Sequence, residues 1–129
     1  NIVPVNTPLK KQEVFEKREM NLFTTYVVHT DSVLLRVFDN GVIDGDTVSV
    51  FFNDSVVVNR LGLTAQAFEL KLPVNLQEDN KIILYAHNLG SISPNTAMLE
   101  IYSGKAFYSI AISSDLQKSS GIILKHKKE

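Results

Sequence analysis

The chain contains no cysteine and no tryptophan, and its 129 residues include only four prolines and six glycines. Without cysteine it forms no disulfide and no thiolate metal site, although a domain of this length can bury a core that needs no covalent cross-link. No run approaches the roughly 20 apolar residues that a membrane-spanning helix requires. The formal net charge of −1 provides no basic field to attract nucleic acid. We therefore expect one globular domain that binds no nucleic acid and has no membrane-spanning segment.

Beyond Met20 the sequence alternates apolar and polar residues, the pattern of half-buried β-strands. Turn-forming residues separate the runs, among them Asn53-Asp54, Ser103-Gly104 and Ser119-Ser120-Gly121. No long stretch has a helical period, which disfavours an α/β fold. The sequence predicts an all-β, antiparallel β-sandwich of about eight to nine strands, in a jelly-roll or C2-like arrangement. The predicted strands cover residues 22–29, 33–38, 47–52, 56–59, 68–72, 81–87, 96–102, 106–112 and 121–125.

The first segment of the chain differs from the rest. Residues 1–19 carry two prolines and mixed charges, so we expect a leader or linker there and the β-sandwich domain at 20–129. The chain begins at Asn1, with no basic or apolar signal region. We expect either a trimmed chain or a mature protein whose leader has been removed, which suits a secreted, periplasmic or cell-surface location.

The most distinctive loop of the sequence is Asp-Asn-Gly-Val-Ile-Asp-Gly-Asp at 39–46. Its Asp39, Asp44 and Asp46 supply the carboxylate oxygens that Ca²⁺ prefers, and the carbonyl of Asn40 can add a ligand. The spacing does not match an EF-hand. The alternative is turn chemistry, since Asn-Gly and Asp-Gly are favoured where the backbone needs positive φ. A Ca²⁺ site at this loop is therefore one of two hypotheses.

Two further connections are candidate binding loops beside the acidic one. Residues 88–96 form a nine-residue connection that includes Asn88 and Asn95, longer than a tight hairpin. The alternative is a loop that packs on its own side chains. Ser113, Ser114 and Asp115 follow a predicted strand, and we expect a turn or a short helix capped by Ser114 or Asp115.

Catalytic signals are weak. No G-x-S-x-G motif marks a nucleophilic serine, and no short histidine spacing marks a zinc site. A pair of acids for glycan hydrolysis requires spatial assembly that the sequence does not specify. The candidate carboxylates are Asp44, Asp46, Glu69 and Glu100, and the histidines are His29, His87 and His126.

Aromatic residues bear on carbohydrate binding, for which exposed flat rings are the usual platform. Six of them fall on predicted strands, where about half should face the core. Phe51 and Phe107 would form an exposed apolar patch if both pointed outward from one sheet, and such a patch indicates a partner surface. The six aromatics are Tyr26, Phe51, Tyr85, Tyr102, Phe107 and Tyr108.

Three segments together carry a family resemblance. They are VFDNGVIDGDTVSVFFN at 37–53, Leu63-Thr64, and KIILYAHNLGSISPNTAMLEIYSGKAFYSIAISSDLQKSSGIIL at 81–124. Over residues 20–125 the chain resembles a small secreted β-sandwich domain of Bacteroidetes-type envelope proteins, which sometimes lies near a peptidoglycan-binding domain of the outer-membrane protein A type. The resemblance implies an envelope location and no assigned activity.

The chain departs from that family pattern at two positions. His87 stands where an acidic residue is common, and Ser93 stands where a second proline is common. Losing the acid would weaken a cation site that used this loop. We expect a non-catalytic binding or adaptor module for an envelope protein or glycan, with Asp39, Asp44 and Asp46 at its interaction end and a stabilising Ca²⁺ there as one of the two hypotheses for the loop. The alternatives are a purely structural spacer and a carboxylate-dependent glycan hydrolase.

Overall fold

The structure is a computed structural model that describes residues 19–20, 24–39, 47–87, 95–114 and 118–128. Within these ranges the chain forms ten β-strands and no helix. Nine strands have five or more residues, which confirms the predicted number. The strands are β1 (Glu19–Met20), β2 (Thr24–Val28), β3 (Ser32–Phe38), β4 (Thr47–Phe52), β5 (Ser55–Gly62), β6 (Phe68–Pro73), β7 (Asn80–Ala86), β8 (Asn95–Ser103), β9 (Ala106–Ser114) and β10 (Lys118–His126).

The strands form two sheets packed face to face, and the predicted antiparallel β-sandwich is therefore confirmed. The larger sheet has the order β1-β10-β7-β4-β5, with β2 beside β10 on the same side as β1. The smaller sheet has the order β6-β3-β8-β9. The two pairings of β10 with β1 and β2 are parallel, and the others are antiparallel. In the described part of the chain, nothing helical is long and apolar enough to cross a membrane.

The core lies between the two sheets and follows the two-residue period of the strands. On β3, Val33, Leu35 and Val37 are buried while the alternate residues are half-buried, as the pattern predicts. Phe68 is an exception, because it begins the edge strand β6 and is 40% exposed. The fully buried large side chains are Leu35, Ile82, Leu84, Leu99, Ile101, Ile122, Leu124, Val28, Val33, Val37, Val48 and Val50.

Two tight hairpins close one end of the sandwich, which we call the hairpin end. Asn53 and Asp54 have φ of 50° and 72°, the positive pair that a type I′ turn requires between β4 and β5. Gly104 begins the turn between β8 and β9 with φ of 59°. A Cβ there would lie 3.2 Å from Thr30 Cγ2, so glycine suits the position sterically as well. Both predicted turns are confirmed.

Asn80 organises the hairpin end from a fully buried position at the start of β7. Its Oδ1 accepts from Asn75 N at 2.7 Å and from Asn53 Nδ2 at 3.2 Å. Its Nδ2 donates to the carbonyls of Asn75, Glu78 and Leu124 at 3.0, 3.2 and 3.2 Å. One amide therefore joins the β6–β7 connection, the β4–β5 turn and strand β10.

Two sequence predictions about loops are wrong. Ser119-Ser120-Gly121 is no turn, because Ser120 pairs with Leu84 and Gly121 with Ile83 inside β10. Tertiary pairing overrides the turn preference of these residues there.

The second correction concerns the start of β8. Asn95 begins β8 opposite Ser114, so the loop predicted at 88–96 is shorter by two residues. Ser113 and Ser114 extend β9 beyond its predicted end at residue 112, and the turn or short helix predicted to follow, capped by Ser114 or Asp115, falls outside the described residues and stays a prediction.

Candidate binding surface

The outer face of the four-stranded sheet carries the most exposed aromatic pair. Tyr102 on β8 and Phe107 on β9 are direct cross-strand neighbours, 37% and 50% exposed. Their ring centroids lie 4.8 Å apart with an interplanar angle of 40°. Leu34 on β3 is the next neighbour of Tyr102 in the same row. We call Leu34, Tyr102 and Phe107 the aromatic patch.

A charged row runs across the same face beside the aromatic patch. Arg36 at the centre of β3 lies between Glu69 on β6 and Glu100 on β8. Its Nη1 is 3.1 Å from Glu69 Oε2, and its Nε is 3.2 Å from Glu100 Oε1. The Tyr102 hydroxyl lies 3.4 Å from Glu100 Oε1, so the row and the patch are in contact. Exposed ion pairs of this kind contribute little to stability, but they can orient a partner.

The same row bears on the hydrolase alternative. Two of the four carboxylates considered for hydrolysis, Glu69 and Glu100, lie on one face of the sheet. They stand on β6 and β8, the two strands on either side of β3. The guanidinium of Arg36 occupies the interval between them, where a glycosidic bond would have to lie. The other two candidates, Asp44 and Asp46, lie outside the described residues.

The remaining predicted aromatics divide between the two sheets. Phe51 lies on β4 of the larger sheet and Phe107 on β9 of the smaller one, so the two do not share a face. Phe51 packs its edge against Tyr85 with centroids 6.1 Å apart. Tyr26 and Tyr108 pack together at 4.6 Å, and the Tyr108 hydroxyl donates to the Val27 carbonyl at 2.7 Å. Tyr102 is the partner of Phe107 that the sequence did not indicate.

The acidic loop leaves the opposite end of the sandwich, which we call the acidic-loop end. Asp39 follows β3 directly, is only 7% exposed, and donates its backbone N–H to the Thr64 carbonyl at 2.8 Å. The described part of the chain contains no cluster of three acidic or histidine side chains that could hold a metal ion. Asn40, Asp44 and Asp46 lie outside the described residues, so the Ca²⁺ hypothesis stays a prediction.

The strands that flank the three candidate loops end together. β3, β7 and β9 finish at the acidic-loop end, and β4, β8 and β10 begin there. His87, which follows β7, donates its backbone N–H to Thr47 at the start of β4, at 2.9 Å. Asn88 and Asp115 lie outside the described residues, and Asn95 is the first residue of β8.

A serine–histidine contact on the larger sheet was not predicted from the sequence. Ser49 Oγ lies 2.6 Å from His87 Nε2, 3.2 Å from Asn59 Oδ1 and 3.0 Å from the backbone N–H of Arg60. The Arg60 N–H can only donate and the Asn59 oxygen accepts, so the single hydroxyl proton is directed to Asn59. The contact with His87 Nε2 then adds a third partner to a hydroxyl that Arg60 and Asn59 already bond.

The structural role of Ser49 follows from the irregular pairing around it. The register of β4 with β5 shifts at this point, and Arg60 has φ of 52°. Ser49 is fully buried and its hydroxyl satisfies the backbone at the irregularity. No sequence spacing reveals the contact, because it depends on Ser49 pairing with Tyr85, two residues before His87.

The other two histidines lie at the hairpin end. His29 Nδ1 is 2.7 Å from the Lys127 carbonyl, and His126 is paired with Val28 at the end of β10. His87 is at the opposite end, so the three do not converge.

Comparison with known protein families, with curated proteins and with solved structures finds no match to this chain. The resemblance to the envelope β-sandwich domain therefore rests on the sequence segments alone and remains a prediction. The β-sandwich fold stands independently of it.

Proposed function

We propose that the domain is a non-catalytic binding or adaptor module that recognises a protein partner through the aromatic patch. The observation that carries the proposal is the exposed cross-strand pair of Tyr102 and Phe107. Two large aromatic side chains lying together in water are a cost unless a partner covers them. The patch is therefore the best-supported interaction surface of the described chain.

The scaffold under the patch favours recognition of a rigid kind. Leu34, Tyr102 and Phe107 stand on three adjacent strands, and their alternate neighbours Leu35 and Ile101 are buried in the core. Side chains fixed on such a sheet lose little conformational entropy on binding. Loop residues would lose more.

The composition of the face favours a protein over a glycan. Tyrosine, phenylalanine and arginine are enriched in protein interfaces, and Arg36 lies in the adjoining row. A flat sugar ring stacks best on a planar platform, whereas the two rings are tilted by 40° and tryptophan is absent. An envelope glycan is the alternative ligand.

We also propose an envelope or secreted location and a stabilising Ca²⁺ ion, both on the basis of the sequence. The family resemblance supports a secreted or envelope-associated protein, and the acidic loop supports stabilisation by Ca²⁺. Asp39, buried at the start of that loop, supports a structural role for its carboxylate at this end.

The test compares immobilised wild-type protein with Tyr102→Ala and Phe107→Ala for binding to fractionated envelope extract. Phe68→Ala is the matched control, because Phe68 is 40% exposed but lies outside the patch. We expect each patch variant to weaken binding by at least about tenfold, as truncation of an interface aromatic typically does. The control should bind like the wild type.

Protease treatment of the extract separates the two ligand classes. Binding that disappears with the proteins supports the proposal, and binding that survives protease but not glycan digestion replaces it with a glycan ligand. Equal binding by the wild type and all three variants would overturn the aromatic patch as the binding surface, and no binding by the wild type would favour the spacer alternative.

A further inference from the structure

Among the described residues, β9 is an edge strand of the smaller sheet and lacks the protection that the other sheet edges carry. β6 contains Lys71 and ends at Pro73, and β5 is bent by a register shift with Arg60 at φ of 52°. The opposite edge of the larger sheet is divided between the short strands β1 and β2. Charge, proline, bulges and short length are the features that prevent strand addition. Over its nine residues, Ala106–Ser114, β9 has no charged residue, no proline and no register shift against β8.

The outer side of β9 presents backbone groups for pairing. Because Gly104 and Lys105 form a two-residue turn, Ser103 and Ala106 are the first hydrogen-bonded pair of the hairpin. Alternation along an antiparallel ladder then directs the N–H and C=O of residues 107, 109 and 111 away from β8. Phe107, Ser109 and Ala111 are also exposed.

The inner side of β9 is attached to the rest of the fold by a side chain. The Tyr108 hydroxyl donates to the Val27 carbonyl of β2, the neighbouring edge of the larger sheet. This bond joins the two sheets without using the outer backbone of β9. In the described part of the chain, no strand pairs with that outer backbone.

We propose that β9 pairs antiparallel with β9 of a second copy of the chain, with the two-fold axis at Ser109. In this register Phe107 stands opposite Ala111 of the second copy, and the reverse pair repeats on the other side of the axis. Three hydrogen-bonded pairs give about six backbone bonds across the interface. A two-fold contact of this kind closes on itself and forms a dimer, not a fibre.

Side-chain complementarity on the outer face favours this register. The large Phe107 ring meets the small Ala111, and beyond it lies Met98, the β8 neighbour of Ala111. The aromatic patch of one copy is thereby continued by apolar side chains of the other. A register shifted by one hydrogen-bonded pair toward the turn would place Phe107 against the polar Ser109 instead.

The core-facing side and the charges also agree with it. Tyr108 stands opposite Ile110 of the second copy, so partly buried apolar residues meet there. The nearest charged residue in the same row is Glu100, and four strands at about 4.8 Å spacing place the two copies of it about 14 Å apart. This exceeds the Debye length of about 8 Å in physiological salt. Repulsion across the axis is therefore weak.

The inference goes beyond the proposed function, because it concerns the backbone edge and needs no external ligand. The decisive experiment uses single cysteines, for which the cysteine-free chain is well suited. Ser109→Cys places two thiols across a hydrogen-bonded pair, about 5.5 Å between Cα atoms, within disulfide reach. Ser55→Cys, at an exposed position of β5, is the matched control.

We expect Ser109→Cys to form a disulfide dimer at least about tenfold faster than Ser55→Cys. Phe107→Cys and Ala111→Cys should cross-link when mixed, and neither alone should exceed the control. Equal rates for Ser109→Cys and Ser55→Cys would overturn the proposal, as would a wild type that stays monomeric in sedimentation at about 100 µM.

A second variant tests the backbone directly. Ser109→Pro removes an N–H that does not bond to β8, so the monomer should keep its fold, as edge strands tolerate proline. The Kd of the dimer should rise by about two orders of magnitude. Ala111→Lys, which keeps every backbone group but places two charges beside the axis, should raise the Kd by about tenfold. An unchanged Kd of the dimer in either variant would contradict β9 pairing. Partner binding, tested with Tyr102→Ala, is a separate measurement, so either proposal can fail without the other.

Discussion

Asn80→Leu is the substitution whose effect on stability the structure defines most clearly. Leucine has nearly the same shape as asparagine and loses all five side-chain hydrogen bonds of Asn80. The two protons of Nδ2 are shared among three carbonyls, so the amide makes about four effective bonds. At about 0.5–1.5 kcal/mol net for each bond, the gross loss is about 2–6 kcal/mol.

Water access decides where in that range the value falls. The Leu124 carbonyl is buried with the amide, whereas the Asn75 and Glu78 groups belong to the exposed β6–β7 connection and can turn to water. We therefore expect a loss of about 3 kcal/mol in the free energy of unfolding, or about 10 °C in Tm for a domain of this size. Urea unfolding followed by circular dichroism measures it.

Two comparisons make the Asn80 prediction decisive. Asn59→Leu is the same chemical change at an exposed site with a single side-chain bond, to the buried Ser49 hydroxyl, and it should cost about 1–2 kcal/mol, less than Asn80→Leu. Asn80→Asp should cost more than Asn80→Leu at pH 7, because a carboxylate would face three carbonyl oxygens, and the excess should shrink at pH 4 as that carboxyl binds a proton. A loss below about 1 kcal/mol for Asn80→Leu would refute the network as an organiser of the hairpin end.

Four further outcomes can be checked by unfolding measurements. Asp54→Gly should raise stability by about 0.5–1 kcal/mol, because φ of 72° favours glycine, whereas Asp54→Ala should lower it. Leu99→Ala leaves a cavity at a fully buried core position and should lower the free energy of unfolding by about 2–5 kcal/mol. Unfolding that is no longer cooperative would contradict this prediction. Tyr108→Phe removes the 2.7 Å bond to Val27 and should cost about 0.5–1.5 kcal/mol. Excess Ca²⁺ should raise Tm relative to chelator in the wild type and not in Asp44→Asn; no shift in either would retire the calcium hypothesis.

The fold was predictable because each strand carries its own signal. Val33, Leu35 and Val37 alternate with less buried residues, and the structure buries all three. The turn at Asn53-Asp54 was equally local, since these residues tolerate the positive φ that the hairpin needs. The turn predicted at Ser119-Ser120-Gly121 was wrong because these residues have weak strand preference of their own. Pairing of β10 with β7 on one side and with β2 on the other keeps the strand extended, and this depends on the whole sheet.

The candidate surface was less predictable, because it depends on strand order and register. The sequence placed Phe51 and Phe107 on strands but gave no means of assigning those strands to sheets. Tyr102 meets Phe107 only because β8 and β9 form a hairpin whose register is set by the turn at Gly104. A slip of one residue would turn Phe107 into the core and bring Tyr108 to the surface.

Strand register also determines how the aromatic patch, the charged row and the outer edge of β9 are placed relative to one another. The pairs Leu34 with Tyr102, and Arg36 with Glu100, place apolar and charged rows side by side on the outer face. The turn at Gly104 sets the pairing of Tyr102 with Phe107 in the aromatic patch and also sets which backbone groups of β9 point outward, since both follow from the pairing of Ser103 with Ala106. Lengthening the turn by one residue after Gly104 should therefore disturb partner binding and dimer formation together. Tyr102→Ala should impair partner binding alone, and Ser109→Pro should impair dimer formation alone. If the turn insertion left either property unchanged, that property would not depend on the register of β8 and β9.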